Sequence, residues 1–210
     1  RSSDPAVLAR AQRIVLNPDN LSGPLDWNEV YGSGHPVEIE VGFGKGGFLV
    51  ASSIQHPGRN FLGLETAAKL VQYAAERLAK RGVENARVAC VDAHYFVSRY
   101  VPDASVDAYH VYFPDPWPKK RHRKRRVLKE EFLREMLRTL KAGGRLYFAT
   151  DFQDYFEQAT DLFKSFPAFK PLDPAIWLDH RSPECVTNYE VKYRQEGRPI
   201  YYALYERRSE

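Results

Sequence analysis

Residues 37–47 read VEIEVGFGKGG, a short β-branched run that gives way to four glycines. The run has the length and composition of one buried strand, and the glycines let the backbone turn sharply into a following helix. Glycine at such a turn also lets the main chain approach a bound molecule closely. This stretch therefore predicts the start of an α/β fold and one wall of a binding site.

Strand-like and helix-like segments alternate after this point. Short apolar runs each end in Gly, Asp or Pro, and amphipathic segments separate them. This alternation predicts an α/β, doubly wound, mostly parallel sheet with helices on both faces. The last apolar run, 199–207, is expected to form an antiparallel C-terminal strand at or near the end of the sheet. The predicted strands are 37–41, 61–64, 86–91, 107–113 and 145–150, and the predicted helices are 48–54, 66–81, 129–141 and 153–166.

Length and composition favour one domain. The chain has 210 residues, of which 43% are hydrophobic, enough for a single well-buried core. Residues 1–36 are rich in Pro and Gly and predict an irregular N-terminal arm with one short helix near 5–14, whereas residues 37–210 predict a single domain. No apolar run approaches the roughly 18 to 20 residues that span a membrane. We therefore expect a cytoplasmic protein without a membrane partner, either a monomer or a homodimer.

A strongly cationic segment follows a proline-rich one. Residues 113–118 read FPDPWP, and residues 119–126 read KKRHRKRR. Seven of the 31 lysines and arginines lie in the second segment, and the remaining 24 are outnumbered by 27 acids. The net charge of +4 therefore comes from this segment, which predicts a nucleic-acid-binding patch beside a single acid, Asp115. A solvated surface loop is the alternative interpretation of such a run.

Three acids are predicted at the carboxyl ends of three successive strands. Glu40 adjoins the glycines, where a carboxylate would repel a pyrophosphate but attract an amine, such as that of the methionine part of a sulfonium cofactor. Glu65 closes the second strand at the spacing of an acid that accepts hydrogen bonds from ribose hydroxyls. Asp92 closes the third, and the small Ala93 after it leaves room for a flat adenine. Each acid could instead cap the helix that follows.

These segments together resemble the bacterial tRNA (guanine-N7)-methyltransferases. The similarity spans roughly residues 37–207, and the PDPW sequence with its cations is far more specific than the glycine loop. The resemblance implies a Rossmann-like class I methyltransferase sheet and methyl transfer from S-adenosyl-L-methionine to a guanine of tRNA, at position 46 in the variable loop. The matching segments are EVGFGKG at 40–46, FLGLE at 61–65, DA at 92–93, FPDPWPK at 113–119, ATD at 149–151 and TNYE at 187–190.

The resemblance also implies a role for each matching position, with Asp115 as the catalytic residue. The implied ligands of S-adenosyl-L-methionine and its product S-adenosyl-L-homocysteine are Glu40, Gly42, Gly44, Gly46, Glu65, Asp92, Ala93 and Asp115. The implied substrate-binding residues are Lys119, Asp151, Thr187, Asn188, Tyr189 and Glu190. The residues expected to contact the tRNA backbone are Arg121, His122, Arg123, Lys124, Arg125 and Arg126.

The expected chemistry at Asp115 follows from guanine itself. Its N7 atom has a free lone pair and no proton, so attack on a sulfonium methyl group needs orientation more than it needs a strong base. Methylation leaves the purine positively charged, and a nearby carboxylate would stabilise that charge. By accepting a hydrogen bond from N1–H or the exocyclic amine, Asp115 would also select guanine. An Asp that merely forms a turn between two prolines is the alternative.

Metal chemistry is not expected. The six histidines show no metal-ligand spacing, and Cys90 and Cys185 are far apart without a partner at zinc spacing, which favours plain thiols. Two other functions remain open from the residues alone. One is a nicotinamide-dependent Rossmann enzyme with an incidental basic loop, and the other is a non-catalytic RNA-binding domain on a methyltransferase-like sheet.

Overall fold

The computed structural model describes residues 3–179 and 181–209, and a seven-stranded sheet forms its centre. Helices pack on both faces of the sheet. The strands are β1 (Val37–Val41), β2 (Asn60–Glu65), β3 (Ala86–Cys90), β4 (Val106–Tyr112), β5 (Leu140–Thr150), β6 (Phe169–Leu172) and β7 (Tyr201–Arg207). The helices are α1 (Pro5–Ile14), α2 (Trp27–Tyr31), α3 (Gly47–Gln55), α4 (Ala68–Lys80), α5 (Ala93–Tyr100), α6 (Glu130–Thr139), α7 (Gln153–Lys164), α8 (Ala175–Leu178) and α9 (Asn188–Gln195).

The strand order β3-β2-β1-β4-β5-β7-β6 places β1 near the middle of the sheet. β1 pairs in parallel with β2 on one side and with β4 on the other, so that Val41 lies opposite both Leu64 and Val111. The chain winds outward from β1 to β3 and then returns to add β4 on the opposite side. Open parallel sheets bind ligands beyond the carboxyl ends of their strands at such a change of direction. The glycine loop after β1 lies there.

The predicted fold class is confirmed. The five predicted parallel strands and the four predicted helices all form, and β7 is antiparallel to both β5 and β6. The largest difference lies at the start of β5. Its first residue, Leu140, already pairs with Val106, so the preceding helix ends at Thr139 rather than at 141. Gly143, at φ +75°, accommodates an irregularity within this strand instead of ending a helix.

Several short elements were not predicted, namely α2, α5, α8, α9 and β6. The sequence of α9, NYEVKYRQ, shows why: its one buried residue is Glu190, so it lacks the apolar stripe by which a helix is recognised. The tertiary contacts of that glutamate, rather than a hydrophobic face, hold α9 in place.

The N-terminal segment lies against the sheet domain. Helix α1, predicted at 5–14, forms over Pro5–Ile14 and packs on α4, with Ala11 and Ile14 buried. The Leu16 amide donates to the Val88 carbonyl at 2.8 Å, which ties the segment to β3. No helix within the described residues has both the length and the hydropathy needed to span a bilayer.

The two faces of β1 carry different chemistry because strand side chains alternate. Val37, Ile39 and Val41 join the larger apolar core, whose other members include residues of α5, α6 and α7. The intervening side chains, Glu38 and Glu40, lie on the opposite face and are nevertheless buried, at 7% and 3% exposure. The strand thus delivers two carboxylates to the interior, one of them next to the glycine loop.

Replacing Gly63 of β2 with alanine tests the packing under that loop. An added Cβ would lie 2.6 Å from Cδ1 of Phe43 and 2.8 Å from Cδ2 of Leu49, both deep in the core. We expect Gly63→Ala to lower the free energy of unfolding by about 1–3 kcal/mol in urea denaturation. Gly58→Ala, with no atom within 4 Å of the new Cβ, serves as control and should change it by less than about 0.5 kcal/mol. Equal losses in the two variants would contradict this account.

Candidate active site

A cavity of about 550 Å³ opens at the carboxyl ends of the central strands. A smaller cavity of about 370 Å³ lies between the glycine loop and α9. Together they gather most of the predicted site residues from five separate segments of the chain. The larger cavity is lined by Gly42, Gly44, Glu65, Asp92, Ala93, Asp115, Arg125 and Tyr189, and the smaller by Glu40, Gly42, Thr187, Asn188 and Tyr189.

The glycine loop adopts a backbone conformation that side chains disfavour. Gly42, Gly44 and Gly46 have φ angles of +70°, +55° and +67°, in the left-handed region. Gly46 precedes α3 as its N-cap, and its amide donates to the Phe43 carbonyl at 2.8 Å. The chain therefore turns from strand to helix within a few residues, and its main chain forms a wall shared by both cavities.

Glu40 is buried beneath this loop. Its Oε2 atom has no hydrogen-bond partner among the described residues. Burial raises the pKa of the Glu40 carboxyl well above its usual range, the Leu49 amide opposes this rise, and the nearby charge of Glu65 adds to it. A buried carboxylate oxygen without a donor is costly, so a ligand that brings a donor would be bound favourably. The side chain lines the smaller cavity and can receive such a ligand there.

Glu65 and Asp92 both accept main-chain hydrogen bonds at the edge of the larger cavity. Glu65 Oε2 accepts from the Gly44 amide at 3.0 Å, and Oε1 accepts from the Thr66 and Ala67 amides at 2.8 and 3.1 Å. Asp92 caps α5 by accepting from the Tyr95 amide at 2.9 Å. The capping interpretation is therefore correct for Asp92, whereas Glu65 binds amides that precede α4 and does not cap that helix. Each carboxylate oxygen has further lone pairs, which leaves acceptor capacity toward the cavity.

Asp115 is exposed at the larger cavity, in a loop with an uncommon backbone. Phe113 and Trp117, the residues two before and two after it, have φ angles of 49° and 42°. Positive φ at a bulky residue is costly, of order 1–3 kcal/mol, and such residues concentrate at functional sites. The strain on both sides of Asp115 indicates that the surrounding packing fixes the position of this carboxylate.

The cationic tract, residues 119–126, is ordered. Its centre, Lys120–Arg125, forms a 3₁₀ helix directly after the Asp115 loop. The Arg125 guanidinium lies over the Trp117 ring at 4.9 Å from its centroid, and His122 meets the same ring edge-on at 5.9 Å. This packing ties the tract to the loop. The exposed cations are Lys119, Lys120, Arg121, Lys124 and Arg125.

Arg126 corrects the expectation that the whole tract contacts RNA. Its side chain is 0% exposed, because it turns inward and binds three acceptors. Nε donates to the Pro116 carbonyl at 2.8 Å, Nη2 pairs with Asp154 at 2.5 Å and Nη1 donates to Gln158. Arg123 is half-buried and pairs with the same Asp154 at 2.5 Å. Arg126 therefore anchors the loop and the tract to α7, and it is not free to contact a phosphate.

Helix α9 forms the outer wall of both cavities. Thr187 caps it by accepting from the Glu190 amide at 3.0 Å, so its hydroxyl stabilises the helix while the residue still lines the smaller cavity. Asn188 packs so closely on Gly47 that a Cβ there would lie 2.4 Å from the Asn188 side-chain oxygen. Tyr189 is half-exposed and borders both cavities.

Two further acids expected to bind substrate instead hold this wall. Glu190 is 1% exposed and accepts hydrogen bonds from Arg181 at 2.9 Å and from the Tyr202 hydroxyl at 2.8 Å. Asp151 pairs with Arg198 at 3.0 Å. Neither side chain lines either cavity. Direct contact of these two residues with substrate stays a prediction, and in this structure both carboxylates are held by arginines.

Sequence reasoning also missed residues that the site uses. Asp154 and Gln158 lie one turn apart on the polar side of α7, where polar side chains normally face water. Tyr112 and Lys192 line the smaller cavity, but neither belongs to a recognisable motif. The two cysteines are free thiols, as expected. The described residues contain no group of three or more His, Cys, Asp or Glu side chains placed to hold a metal.

Replacing Arg126 with alanine tests its structural role. The change removes a donor from the Pro116 carbonyl, from Gln158 and from Asp154, although Asp154 keeps its ion pair with Arg123. We expect the free energy of unfolding to fall by about 2–4 kcal/mol. This loss is smaller than for a fully buried ion pair, because the Asp154 side chain is 39% exposed and solvent screens its charge. Arg121→Ala, at an exposed position of the same tract, should change it by less than about 0.5 kcal/mol. Urea unfolding measures the free energy of unfolding of both variants. Similar losses in the two would refute the structural role of Arg126.

Known proteins are similar to this chain in sequence and in fold. Residues 34–203 match the protein family described as "Putative methyltransferase". A tRNA (guanine-N7)-methyltransferase of Rhodopirellula baltica is 39% identical over 202 residues, covering 93% of this chain and 74% of that protein. Another, of Geobacter metallireducens, is 34% identical over 198 residues, covering 94% of each chain.

A solved structure agrees at the level of the fold. The crystal structure of the 16S rRNA methyltransferase KamB superposes with a TM-score of 0.59 at 15% identity, covering 87% of this chain and 93% of that one. At this identity the similarity concerns the α/β architecture alone. The sequence matches go further, because they span nearly the whole chain at more than 30% identity, and they show that the chain belongs to the tRNA (guanine-N7)-methyltransferase family.

Proposed function

We propose that this protein transfers a methyl group from S-adenosyl-L-methionine to N7 of a guanine in tRNA, at position 46 of the variable loop, in the cytoplasm. The observation that carries the proposal is the unpaired, buried carboxylate oxygen of Glu40 at the glycine loop, within the same edge of the sheet as Asp115 and the exposed cations. Family membership supports the reaction class. The position within tRNA rests on the resemblance alone.

The site residues fit this cofactor. The orphaned Glu40 oxygen suits the α-amine of the methionine part, which would supply the missing donor. Glu65 can accept from ribose hydroxyls, and Ala93 beside Asp92 leaves space for the adenine. When bound, the cofactor supplies an electrophilic methyl group on a positively charged sulfur. The acids at this edge favour that charge and disfavour a pyrophosphate.

The chain's own residues orient the acceptor. Guanine N7 attacks with its lone pair, the new N–C bond replaces the S–C bond, and no proton leaves N7. Asp115, held on the cavity by its strained loop, would lie against the purine and stabilise the positive charge that the ring gains. Accepting from N1–H or the exocyclic amine would let the same carboxylate select guanine. Tyr189 and Asn188 would close the outer side, which excludes water from the reaction.

The cationic tract would dock the tRNA backbone. Its exposed lysines and arginines have the charge and position to bind phosphates, and this contact would contribute affinity and orientation rather than sequence choice. Lys119 lies at the junction of the tract and the Asp115 loop and would hold the phosphate nearest the target nucleotide. Trp117, half-buried beneath Arg125, would support the loop and present a ring edge to the substrate.

Glu40→Gln tests the cofactor pocket through opposing effects on stability and binding. Burial raises the pKa of Glu40 in the folded state above its unfolded-state pKa of about 4.5. The stability that this group contributes is therefore fully present below pH 4.5 and is lost as the pH rises through the folded-state pKa. We expect the neutral glutamine to make the ligand-free protein more stable at pH 8, measured by thermal unfolding. Calorimetry should show that S-adenosyl-L-homocysteine binding weakens at least tenfold, since the acceptor for the amine loses its charge.

The matched control for this variant is Glu206→Gln, a change of the same chemistry on β7 at a partly exposed carboxylate. It should leave the affinity for S-adenosyl-L-homocysteine unchanged. Weaker stability of the Glu40 variant at pH 8, or unaltered ligand affinity, would remove Glu40 from the cofactor site.

Asp115→Asn tests the reaction itself. Incubation with labelled cofactor and unmodified tRNA, followed by nucleoside analysis, should give 7-methylguanosine for the wild type and a rate reduced about 10²–10³-fold for the variant. Affinity for S-adenosyl-L-homocysteine and the unfolding temperature should stay close to those of the wild type, because the carboxylate is exposed and forms no ion pair within the described residues. Near-normal turnover would remove Asp115 from the mechanism, and product at another nucleotide would overturn the proposed position.

A further inference from the structure

The exposed side of α4 carries cations that lie outside the cationic tract. Lys69, Tyr73 and Arg77 follow one another at intervals of four residues, and Arg81 continues the row as the C-terminal cap, so all four share one side of the helix. Lys69 and Arg81 are exposed, Arg77 is half-buried, and Tyr73 is 50% exposed. We refer to these four residues as the α4 stripe.

The charges of the α4 stripe are not neutralised. Within the part of the chain that the structure describes, no carboxylate lies within ion-pair distance of Lys69, Arg77 or Arg81. The arginines of α6 differ, because Arg134 and Arg138 each pair with a glutamate of the same helix. The acid of α4 itself, Glu76, is turned inward and buried.

Lys69 is placed against local stability, whereas Arg77 lies in the last turn of α4, where the helix dipole favours a cation. Lys69 lies in the first turn of α4, which contains no acid, although the positive end of the helix dipole disfavours a cation there. Arg77 and Arg81 lie one turn apart, where like charges repel. Burial, and to a smaller extent the charge of Arg81, lower the pKa of the Arg77 guanidinium. Helix stability therefore explains neither the position of Lys69 nor the closeness of the like charges of Arg77 and Arg81, and a bound polyanion would neutralise all three.

The α4 stripe begins at the mouth of the larger cavity. Thr66, Ala67 and Leu70, which surround Lys69 in sequence, line that cavity. Farther along the helix, Arg77 Nη1 donates to the Lys45 carbonyl of the glycine loop at 2.5 Å. Since β2 and β4 flank β1, the strands that lead into α4 and into the Asp115 loop end on opposite sides of β1, about two strand spacings or roughly 10 Å apart.

Tyr73 adds an aromatic surface to these charges. The Arg77 guanidinium lies 5.6 Å from the centroid of its ring, and half of the side chain stays open to solvent. Proteins recognise unpaired RNA by stacking its bases on exposed aromatic rings between phosphate-binding cations. The α4 stripe combines these two features along one helix.

We propose that the α4 stripe is a second RNA-binding surface, on which Lys69, Arg77 and Arg81 bind backbone phosphates and Tyr73 stacks on an unpaired base. The inference rests on the proposed function, because it assigns the same tRNA to both sides of the cavity mouth. The tRNA then bridges the α4 stripe and the cationic tract, and the target guanine enters the cavity between them.

The double variant Lys69→Gln/Arg81→Gln tests the charges while it spares the contact of Arg77 with the glycine loop. With two phosphate contacts removed, the slope of log K for tRNA against log salt should become shallower by about 1.4–1.8, and the affinity at 100 mM salt should fall at least tenfold. The affinity for S-adenosyl-L-homocysteine, the unfolding temperature and kcat at saturating tRNA should match those of the wild type, because neither residue belongs to the catalytic site.

The control is Lys164→Gln/Lys170→Gln, which removes the same charge near β6, at the far edge of the sheet. It should keep the wild-type salt slope. If the α4 double variant has the affinity and slope of this control while the wild type binds and methylates tRNA, the α4 stripe is not an RNA surface and the proposed function stands. If the wild type itself binds no tRNA, both proposals are wrong.

Tyr73→Ala tests stacking separately from charge. Loss of one stacked base should weaken tRNA binding roughly 5- to 150-fold without changing the salt slope. Tyr95→Ala, which removes an equally exposed tyrosine from α5, should leave the affinity unchanged. Wild-type affinity in the Tyr73 variant would overturn the stacking contact.

Discussion

Burial of one Glu40 carboxylate oxygen without a hydrogen-bond partner among the described residues is the constraint on which the rest of the site depends. A carboxylate oxygen that lacks a donor destabilises a protein interior, and it persists only where the surrounding packing is strong enough to hold it. That packing comes from α3 and the glycine loop, which fit over β1 because Gly63 leaves space for Phe43 and Leu49. The same small residue thus permits both the turn of the loop and the burial of the acid.

Opposite charges are segregated around this point. Glu40, Glu65 and Asp92 occupy the inner edge of the sheet, whereas the exposed cations of the tract lie on the outer rim. An inner acidic edge favours a sulfonium donor, and an outer cationic rim favours a polyanionic acceptor. In the proposed function each ligand is therefore attracted to its own part of the site, and both would meet at Asp115. Glu65 has a second role, because it also accepts a hydrogen bond from the Gly44 amide and so fixes the glycine loop.

The fold could be predicted from the sequence because the central strands and helices show a clear periodicity of hydrophobic residues. The sequence also placed Glu40, Glu65 and Asp92 at one edge, since the carboxyl ends of parallel strands converge. Side-chain direction could not be predicted. Arg126 lies in a run of similar cations, yet the carbonyl of Pro116 and the acid of α7 draw it inward. Glu190 was missed as a buried anchor because its partners, Arg181 and Tyr202, come from distant segments.

Arg126 also connects the cationic tract to the Asp115 loop. Two strained residues flank Asp115, and strain of about 1–3 kcal/mol at each would relax if the loop were free. The guanidinium of Arg126 opposes that relaxation by holding Pro116, while Asp154 binds both Arg126 and Arg123 of the tract. One carboxylate thus fixes the Asp115 loop and the 3₁₀ helix of the tract to the same turn of α7. Under the proposed function, a phosphate bound by the tract would be positioned in the same rigid frame as Asp115, and so would the base attached to it.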